Sequence, residues 1–239
     1  MANTFERNSS SVDPVGKNIL ETVQKADHYN RWIFNLVKPF LYGEIIEISS
    51  GIGIFTDLLV QEKYRVTATD YNSDYLNFLS QKHPGLSIFN FDLTANTTPR
   101  GILNKFDTAI CFNVLEHIAA ENQALQNIKN TLKPGGKLII LVPAFRFVYG
   151  RLDKNLGHIR RYTKKSLRNS LIRNGFIVKS SRYLNPLGLL GWWINSLLLR
   201  NDISGWQIRL FEFFSRPILL LERYISFPFG LSVITIART

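Results

Sequence analysis

The stretch Ile45-Ile46-Glu47-Ile48-Ser49-Ser50-Gly51-Ile52-Gly53 decides how the chain is read. An apolar run stops in a small, glycine-bearing turn, and the residues that follow, Ile54 to Glu62, carry apolar side chains at helical spacing. The order is therefore strand, tight loop, helix N-terminus. Glycines let backbone approach a ligand closely, and the first helical turn offers N–H groups with no helical partner. In open α/β sheets such ligands lie in the crevice outside the carboxyl ends of the strands. A lone glycine loop is equally a plain structural turn, so the sequence around it has to decide.

Downstream the pattern repeats. Tyr64 to Thr69 alternates and is β-branched, predicting a second strand that ends at Asp70, seventeen positions beyond Gly53. A carboxylate at that tip can accept from the vicinal hydroxyls of a ribose; its competing role is to cap the helix predicted over Asn72 to Lys82. The strand expected over Leu86 to Phe91 ends at another acid, Asp92. A fourth strand, Phe106 to Phe112, runs into Asn113 to Ile118, and a helix over Asn122 to Leu132 meets Lys133-Pro134-Gly135-Gly136-Lys137, whose glycines are expected to stop it. Leu138 to Val142 is continuously apolar, as a central parallel strand covered on both faces would be. Upstream, Lys17 to Phe40 carries Ile19, Leu20, Val23, Trp32, Ile33, Leu36 and Val37 at a spacing for one or two helices lying over the ligand end of the sheet. His28 reads as a capping or solvated residue between them.

Beyond Pro143 the texture changes. Ala144 to Thr163 is aromatic and basic; a helix over Lys164 to Asn174 and a strand over Phe176 to Tyr183 resume the alternation. Two tryptophan-bearing amphipathic helices, Leu187 to Leu199 and Gly205 to Ile225, precede a last short strand, Ser232 to Ala237. The expected fold is α/β: a Rossmann-like, seven-stranded, mostly parallel sheet with helices on both faces, an antiparallel last strand, and a helical lid inserted before it. Residues 1–16, rich in Ser and Asn, are expected to be a disordered tail. Residues 17–239 then form one domain, with 144–163 and 186–228 as substrate-side lid insertions.

The chain has 239 residues, 45% of them hydrophobic, enough for one large core. Its formal net charge of +11 is unevenly placed: residues 1–150 carry 14 Lys/Arg and 14 Asp/Glu, residues 151–239 carry 15 and four. Such charge alone permits nucleic acid, but here the cations alternate with long apolar runs and no RNA-binding module is evident, so no nucleic-acid partner is expected. Apolar helices with basic rims suit an anionic membrane surface instead, with Trp192, Trp193 and Trp206 at the interface. The segments Pro186 to Leu199 and Pro217 to Ile236 are too short or too interrupted to span a bilayer. With no leader-like N-terminus and one cysteine, Cys111, read as a buried core thiol, the expected location is the cytoplasm, with possible peripheral attachment to a membrane.

Taken together, the glycine turn, Asp70, Asp92, the Asn113 to Ile118 segment and the Pro-Gly-Gly turn resemble the class I S-adenosylmethionine-dependent methyltransferases. The usual E-x-G-x-G-x-G of that family becomes Glu47-Ile48-Ser49-Ser50-Gly51-Ile52-Gly53, so Ser49 replaces the first glycine. The resemblance implies S-adenosylmethionine as cofactor, with Gly51 and Gly53 at its methionine and ribose portions and Glu47 bracing the loop. It places the Ser49 hydroxyl near the methionine part, Asp70 on the ribose, Asp92 on the adenine amino group between Tyr71 and Leu93, and Asn113 near the sulfonium. The segments Val142 to Gly150 and Leu152 to Thr163, the latter containing Gly157-His158-Ile159-Arg160-Arg161-Tyr162-Thr163, resemble a subgroup of bacterial methyltransferases similar to the ubiquinone-biosynthesis type.

Methyl transfer from a sulfonium needs alignment of the acceptor and, for a hydroxyl or amine, management of one proton. His158 and His117 are the candidates for that proton, His158 being expected nearer the acceptor. Tyr149, Arg160, Arg161 and Tyr162 are expected to bind substrate, the two arginines by pairing with a phosphate or carboxylate. Glu116 reads as a loop-holding residue, and no metal is expected. The function so read is methyl transfer to a small, hydrophobic or lipid-linked acceptor. Two other readings stand beside it. One is a peripheral membrane binding protein whose cofactor site is degenerate at Ser49. The other, weaker, is an NAD(P)-dependent oxidoreductase, which Thr56 in place of the third glycine and the two acidic strand tips disfavour.

Overall fold

The computed structural model describes residues 26–198, 205–222 and 224–239. The expected tail, the Lys17 to Val23 part of the first helical segment and the side chain of Trp206 lie outside the described residues. The elements run α1 (Asp27–Val37), β1 (Glu44–Ile48), α2 (Ile54–Gln61), β2 (Arg65–Asp70), α3 (Ser73–Lys82), β3 (Ser87–Asn90) and β4 (Phe106–Phe112). They continue with α4 (Glu121–Thr131), β5 (Leu132–Pro143), α5 (Arg151–Asn155), α6 (Lys164–Arg173), β6 (Ile177–Leu184), α7 (Pro186–Leu197), α8 (Gly205–Leu221) and β7 (Ser232–Arg238). One seven-stranded sheet has the order β3-β2-β1-β4-β5-β7-β6, all pairs parallel except those of β7 with β5 and β6.

Alternation along the central strands splits the core into two layers. Ile46, Ile48, Ala109, Cys111, Leu138 and Ile140 pack under Leu125, Ile128, Leu167 and Leu171 of α4 and α6. Their neighbours Ile45, Ile110, Ile139 and Leu141 face Ile33, Phe34, Leu58 and Leu59 of α1 and α2. Parallel strands covered on both faces have no solvent side, which is why β4 and β5 read as unbroken apolar runs.

One local expectation is corrected. The Pro-Gly-Gly turn does not stop α4: that helix ends at Thr131, and Leu132 already pairs with Phe106 of β4. Residues 133–136 form a bulge before pairing resumes at Thr108 with Lys137. The helix stops there because its last carbonyls have other donors, Asn104 N–H on Asn130 O and Lys105 N–H on Thr131 O at 2.8 and 3.0 Å.

The helices α7 and α8 connect β6 to β7, and α8 is tied back to α1. Trp32 Nε1 donates to Leu219 O at 2.8 Å and Tyr29 N to Glu212 Oε1 at 3.1 Å. Among the described residues no helix is long and apolar enough to cross a membrane.

Candidate active site

The carboxyl ends of the strands hold most of the strained backbone. Of the non-glycine residues with positive φ, Ser49 (55°), Asn113 (54°), Phe145 (61°) and Asn185 (63°) follow directly, or one residue on, the last residues of β1, β4, β5 and β6. Left-handed backbone at L-residues costs of order 1–2 kcal/mol each and persists where surrounding structure enforces it, commonly at ligand sites.

Around the first turn, Gly53 (φ 82°) caps α2, and a Cβ there would lie 2.3 Å from Leu79 Cδ2. Gly51 (φ 53°) donates its N–H to Asp70 Oδ2 at 3.0 Å. Asp70 Oδ1 accepts from Asn72 N at 2.9 Å, so the acid at the tip of β2 ties the turn after β1 to its own strand end. Asp70 is buried, and burial raises its pKa against the lowering by the Asn72 and Gly51 N–H groups. With the Tyr71 N–H also acting on it, the carboxylate still keeps lone-pair capacity for a hydroxyl donor. The helix-capping role falls instead to Asn72, whose side chain accepts from Asp74 N at 2.9 Å.

Glu47 is also buried and accepts from the Thr56 hydroxyl. Burial pushes its carboxyl up to about 8, with Thr56 opposing. Thr56, which in the sequence registers only as a missing glycine, is thus the partner that lets Glu47 brace the turn. Ser50 completes the stitching: its N–H donates to Thr69 O at 2.7 Å, and its hydroxyl accepts from Thr69 N at 3.1 Å. Ser49 is half-buried and its hydroxyl makes no hydrogen bond among the described residues. Asp92 is exposed and accepts from the Thr94 N–H and hydroxyl, both on Oδ1 at 2.7 Å, which leaves Oδ2 without a donor among the described residues. Leu93 is buried beside it, while Tyr71 and Asn113 are exposed.

A second cluster forms where the segment after β4 meets α5 and the loop that follows. Asp153, fully buried, accepts from Gly150 N (3.0 Å), His158 Nδ1 (2.8 Å), Arg161 Nε (2.7 Å) and Trp192 Nε1 (3.1 Å). Burial alone would raise its pKa, but the His158 and Arg161 hydrogen bonds outweigh burial and hold it at about 2. Since a carboxylate only accepts, the His158 proton sits on Nδ1. His117 lies edge-on to the His158 ring, centroids 4.8 Å apart. Burial, reinforced by the facing imidazole, pushes His117 down to about 4, so it is neutral at physiological pH. Glu116 is fully buried, and among the described residues neither of its carboxyl oxygens has a partner at hydrogen-bond geometry; burial pushes it up to about 8, against its own backbone N–H and the nearby Arg161.

The substrate-side expectations fare unevenly. Tyr162 is a core residue, its backbone bridged to Ala144 and its hydroxyl directed at Leu115 O, because alternation along its extended segment points it inward. Arg160 is paired with Glu121 at 2.6 Å and with the carbonyls of Ile118 and Ala119. Arg161 is buried against Asp153 and Ala144 O, its guanidinium 4.7 Å from the Trp192 ring; only Nη2 has no hydrogen bond. Both guanidiniums therefore serve internal pairs. Tyr149 donates to His158 O at 2.7 Å, holding the histidine loop. Asp153, which organises all of this, carried no signal in the sequence beyond lying five residues before His158.

A sheet of this order, with a glycine turn after its first strand and acids at the tips of the next two, defines a class I S-adenosylmethionine-dependent methyltransferase. A family model for a methyltransferase domain matches residues 8–181, and the chain belongs to that family. It is 24% identical over 139 residues to glycine N-methyltransferase of Rattus norvegicus, covering 50% of this chain and 47% of that protein. The chain spans about half the length of the curated relatives it matches. Among solved structures, a S-adenosylmethionine-dependent methyltransferase of Mesorhizobium loti superposes with a TM-score of 0.59 at 17% identity, over 87% of this chain and 98% of that one. A phosphoethanolamine N-methyltransferase of Haemonchus contortus in complex with S-adenosyl-L-methionine gives 0.59 at 15%, over 88% and 52%.

Proposed function

We propose that the chain transfers a methyl group from S-adenosylmethionine to a small, hydrophobic or lipid-linked acceptor at an anionic membrane surface. The residues present fit the cofactor. Gly51 and Gly53 leave the turn open to a close ligand, Asp70 offers lone pairs for ribose hydroxyls, and Asp92 Oδ2 is available for an adenine amino group. Ser49 and Asn113 line the same rim. Bound there, S-adenosylmethionine supplies an electrophilic methyl group and its own leaving group. The protein then has to orient the acceptor, keep water out, and receive a proton at the Glu116, His117 and His158 cluster. His117, neutral and beside His158, is free to take that proton.

The observation that carries the choice of acceptor is the outer face of α7 and α8. Leu190, Trp193, Ile194 and Leu197 of α7 follow i, i+3, i+4, i+7 spacing and are all exposed, as are Phe213 and Phe214 of α8. An apolar helix face left in water beside a strongly basic half of the chain suits immersion among anionic headgroups. Trp192, by contrast, is anchored inward on Asp153, so the same helix links the apolar face to the histidine cluster.

The test is to incubate the protein with methyl-labelled cofactor and a fractionated cell extract. Label in the lipid or apolar metabolite fraction is expected. Label confined to protein or RNA, or none transferred while the cofactor binds, would overturn the reading.

A further inference from the structure

Glu116, His117 and His158 bring their ligand atoms within 4.8 Å of one another. Among the described residues neither Glu116 oxygen has a hydrogen-bond partner, and His158 Nε2, 4.0 Å from Glu116 Oε1, is beyond hydrogen-bond reach of it. Asp153 holds a proton on His158 Nδ1, so Nε2 is the ring nitrogen that faces Glu116. Two imidazoles and a buried carboxyl therefore converge on one point with no hydrogen bond to Glu116 from either ring. The nearest cation, Arg161, is held by Asp153 and Ala144 O and leaves Glu116 without a hydrogen bond of its own. A single water could donate to only two of these atoms.

We propose that Glu116, His117 and His158 bind one divalent first-row transition ion of the zinc type. Two imidazoles and one carboxylate form a ligand set suited to such an ion and leave a coordination position open. The Asp153 carboxylate on His158 Nδ1 supplies the outer contact that metal-bound histidines use to fix ring and tautomer. Ligand atoms bound at about 2.0–2.2 Å lie roughly 3–3.5 Å apart, so the three side chains close by about an ångström on binding. This reverses the expectation from sequence, where His158 stands 41 residues beyond His117 and shows no ligand spacing with Glu116. At the open position the ion would hold an acceptor oxygen and ease loss of its proton to solvent water, since with the ion bound His117 is a ligand and no longer the base. That role rests on the methyl-transfer reading; ion binding itself does not.

The experiment uses the full chain freed of metal with a chelator, titrated with Zn2+ by calorimetry and with Co2+ followed by its visible absorption. One equivalent is expected to bind, with cobalt bands that show nitrogen and oxygen ligation. Glu116→Gln and the half-exposed His117→Ala should each weaken Zn2+ binding by at least about tenfold. S-adenosylmethionine binding, measured on the same samples, should be unchanged in both. Absence of stoichiometric Zn2+ and Co2+ binding in protein that still binds the cofactor would overturn the site, as would equal metal affinity in wild type and both variants. Metal binding without any cofactor binding would uphold the site and overturn the methyl-transfer reading instead.

Discussion

The two halves of the molecule handle polar groups in opposite ways. In the half built on β1, β2 and β3, buried acids are satisfied by backbone and hydroxyl donors from adjacent strand ends: Glu47 by Thr56, Asp70 by Gly51 and Asn72. The donors come from the first turn of α2, from the turn after β1 and from the N-cap of α3, all at the same ends of neighbouring strands. In the half beyond β4, the buried acid Asp153 collects its donors from the N-cap of its own helix, the loop that follows it and α7, while Glu116 collects none among the described residues. On the proposed reading the first arrangement is a fixed cradle for one ligand. The second converges many segments on one point and sets an exposed apolar face beside it, which is where acceptor choice would be made.

If the comparison holds, the two halves can be disabled separately. Asp70→Ala removes a charged acceptor for two hydroxyls and releases the Gly51 and Asn72 N–H groups, and hydrogen bonds to charged groups contribute about 1.5–3 kcal/mol each. Calorimetry should then record a loss of at least about 100-fold in S-adenosylmethionine affinity, with binding to anionic vesicles unchanged. The double variant Phe213→Ser, Leu220→Ser acts on side chains 69% and 67% exposed and should do the reverse: vesicle co-sedimentation falls by at least about tenfold while cofactor affinity stays within about twofold. A parallel loss of both properties in either variant would show that the halves are one unit and break the comparison.

The cradle also predicts a pH effect of intermediate size. The Glu47 carboxyl is raised from 4.5 to about 8, so the folded state holds its proton more tightly than the unfolded chain does. Its contribution to stability is therefore complete below about pH 4.5 and lost as pH rises through 8, by an amount of order a few kcal/mol. Glu47→Gln keeps an acceptor for Thr56 and cannot ionise. Denaturant unfolding at pH 5 and pH 8.5 should show a distinctly smaller decline in the variant. Equal declines would mean that Glu47 is ionised inside the fold and that the cradle is an anionic one.

These halves were not equally legible in the sequence. Strand tips at Gly51, Asp70, Asp92 and Asn113 could be read because periodicity fixes where a strand ends, and a strand end fixes which side of the sheet its next residue occupies. The last strand followed from the same alternation, whereas its antiparallel direction was implied by the resemblance to class I methyltransferases. By contrast, Arg160, Arg161 and Tyr162 were read as substrate ligands from residue type alone. Their actual partners, Glu121, Asp153 and the Leu115 carbonyl, are set by how a loop folds back, which no period encodes. The approach of His158 to Glu116 was illegible for the same reason, since that histidine arrives from another segment. The Pro-Gly-Gly stretch failed differently: its residue types announce a turn, but competition for the helix's last carbonyls by Asn104 and Lys105 decides where the helix stops.

The smallest effect bears on the turn itself. Ser49 holds a left-handed φ of 55° with a hydroxyl that has no hydrogen bond among the described residues. Glycine would relieve about 1 kcal/mol of backbone strain and return about half of that through the greater freedom of the unfolded chain. Ser49→Gly should therefore stabilise the protein by about 0.5 kcal/mol in denaturant unfolding. Cofactor affinity should move the other way, falling by about fivefold, if the hydroxyl bonds the methionine portion with the roughly 1 kcal/mol typical of a neutral hydrogen bond. Opposite signs from one substitution would identify strain kept for a ligand contact, whereas a rise in both would mean that the serine is only a poorer glycine and that the cradle needs nothing from its side chain.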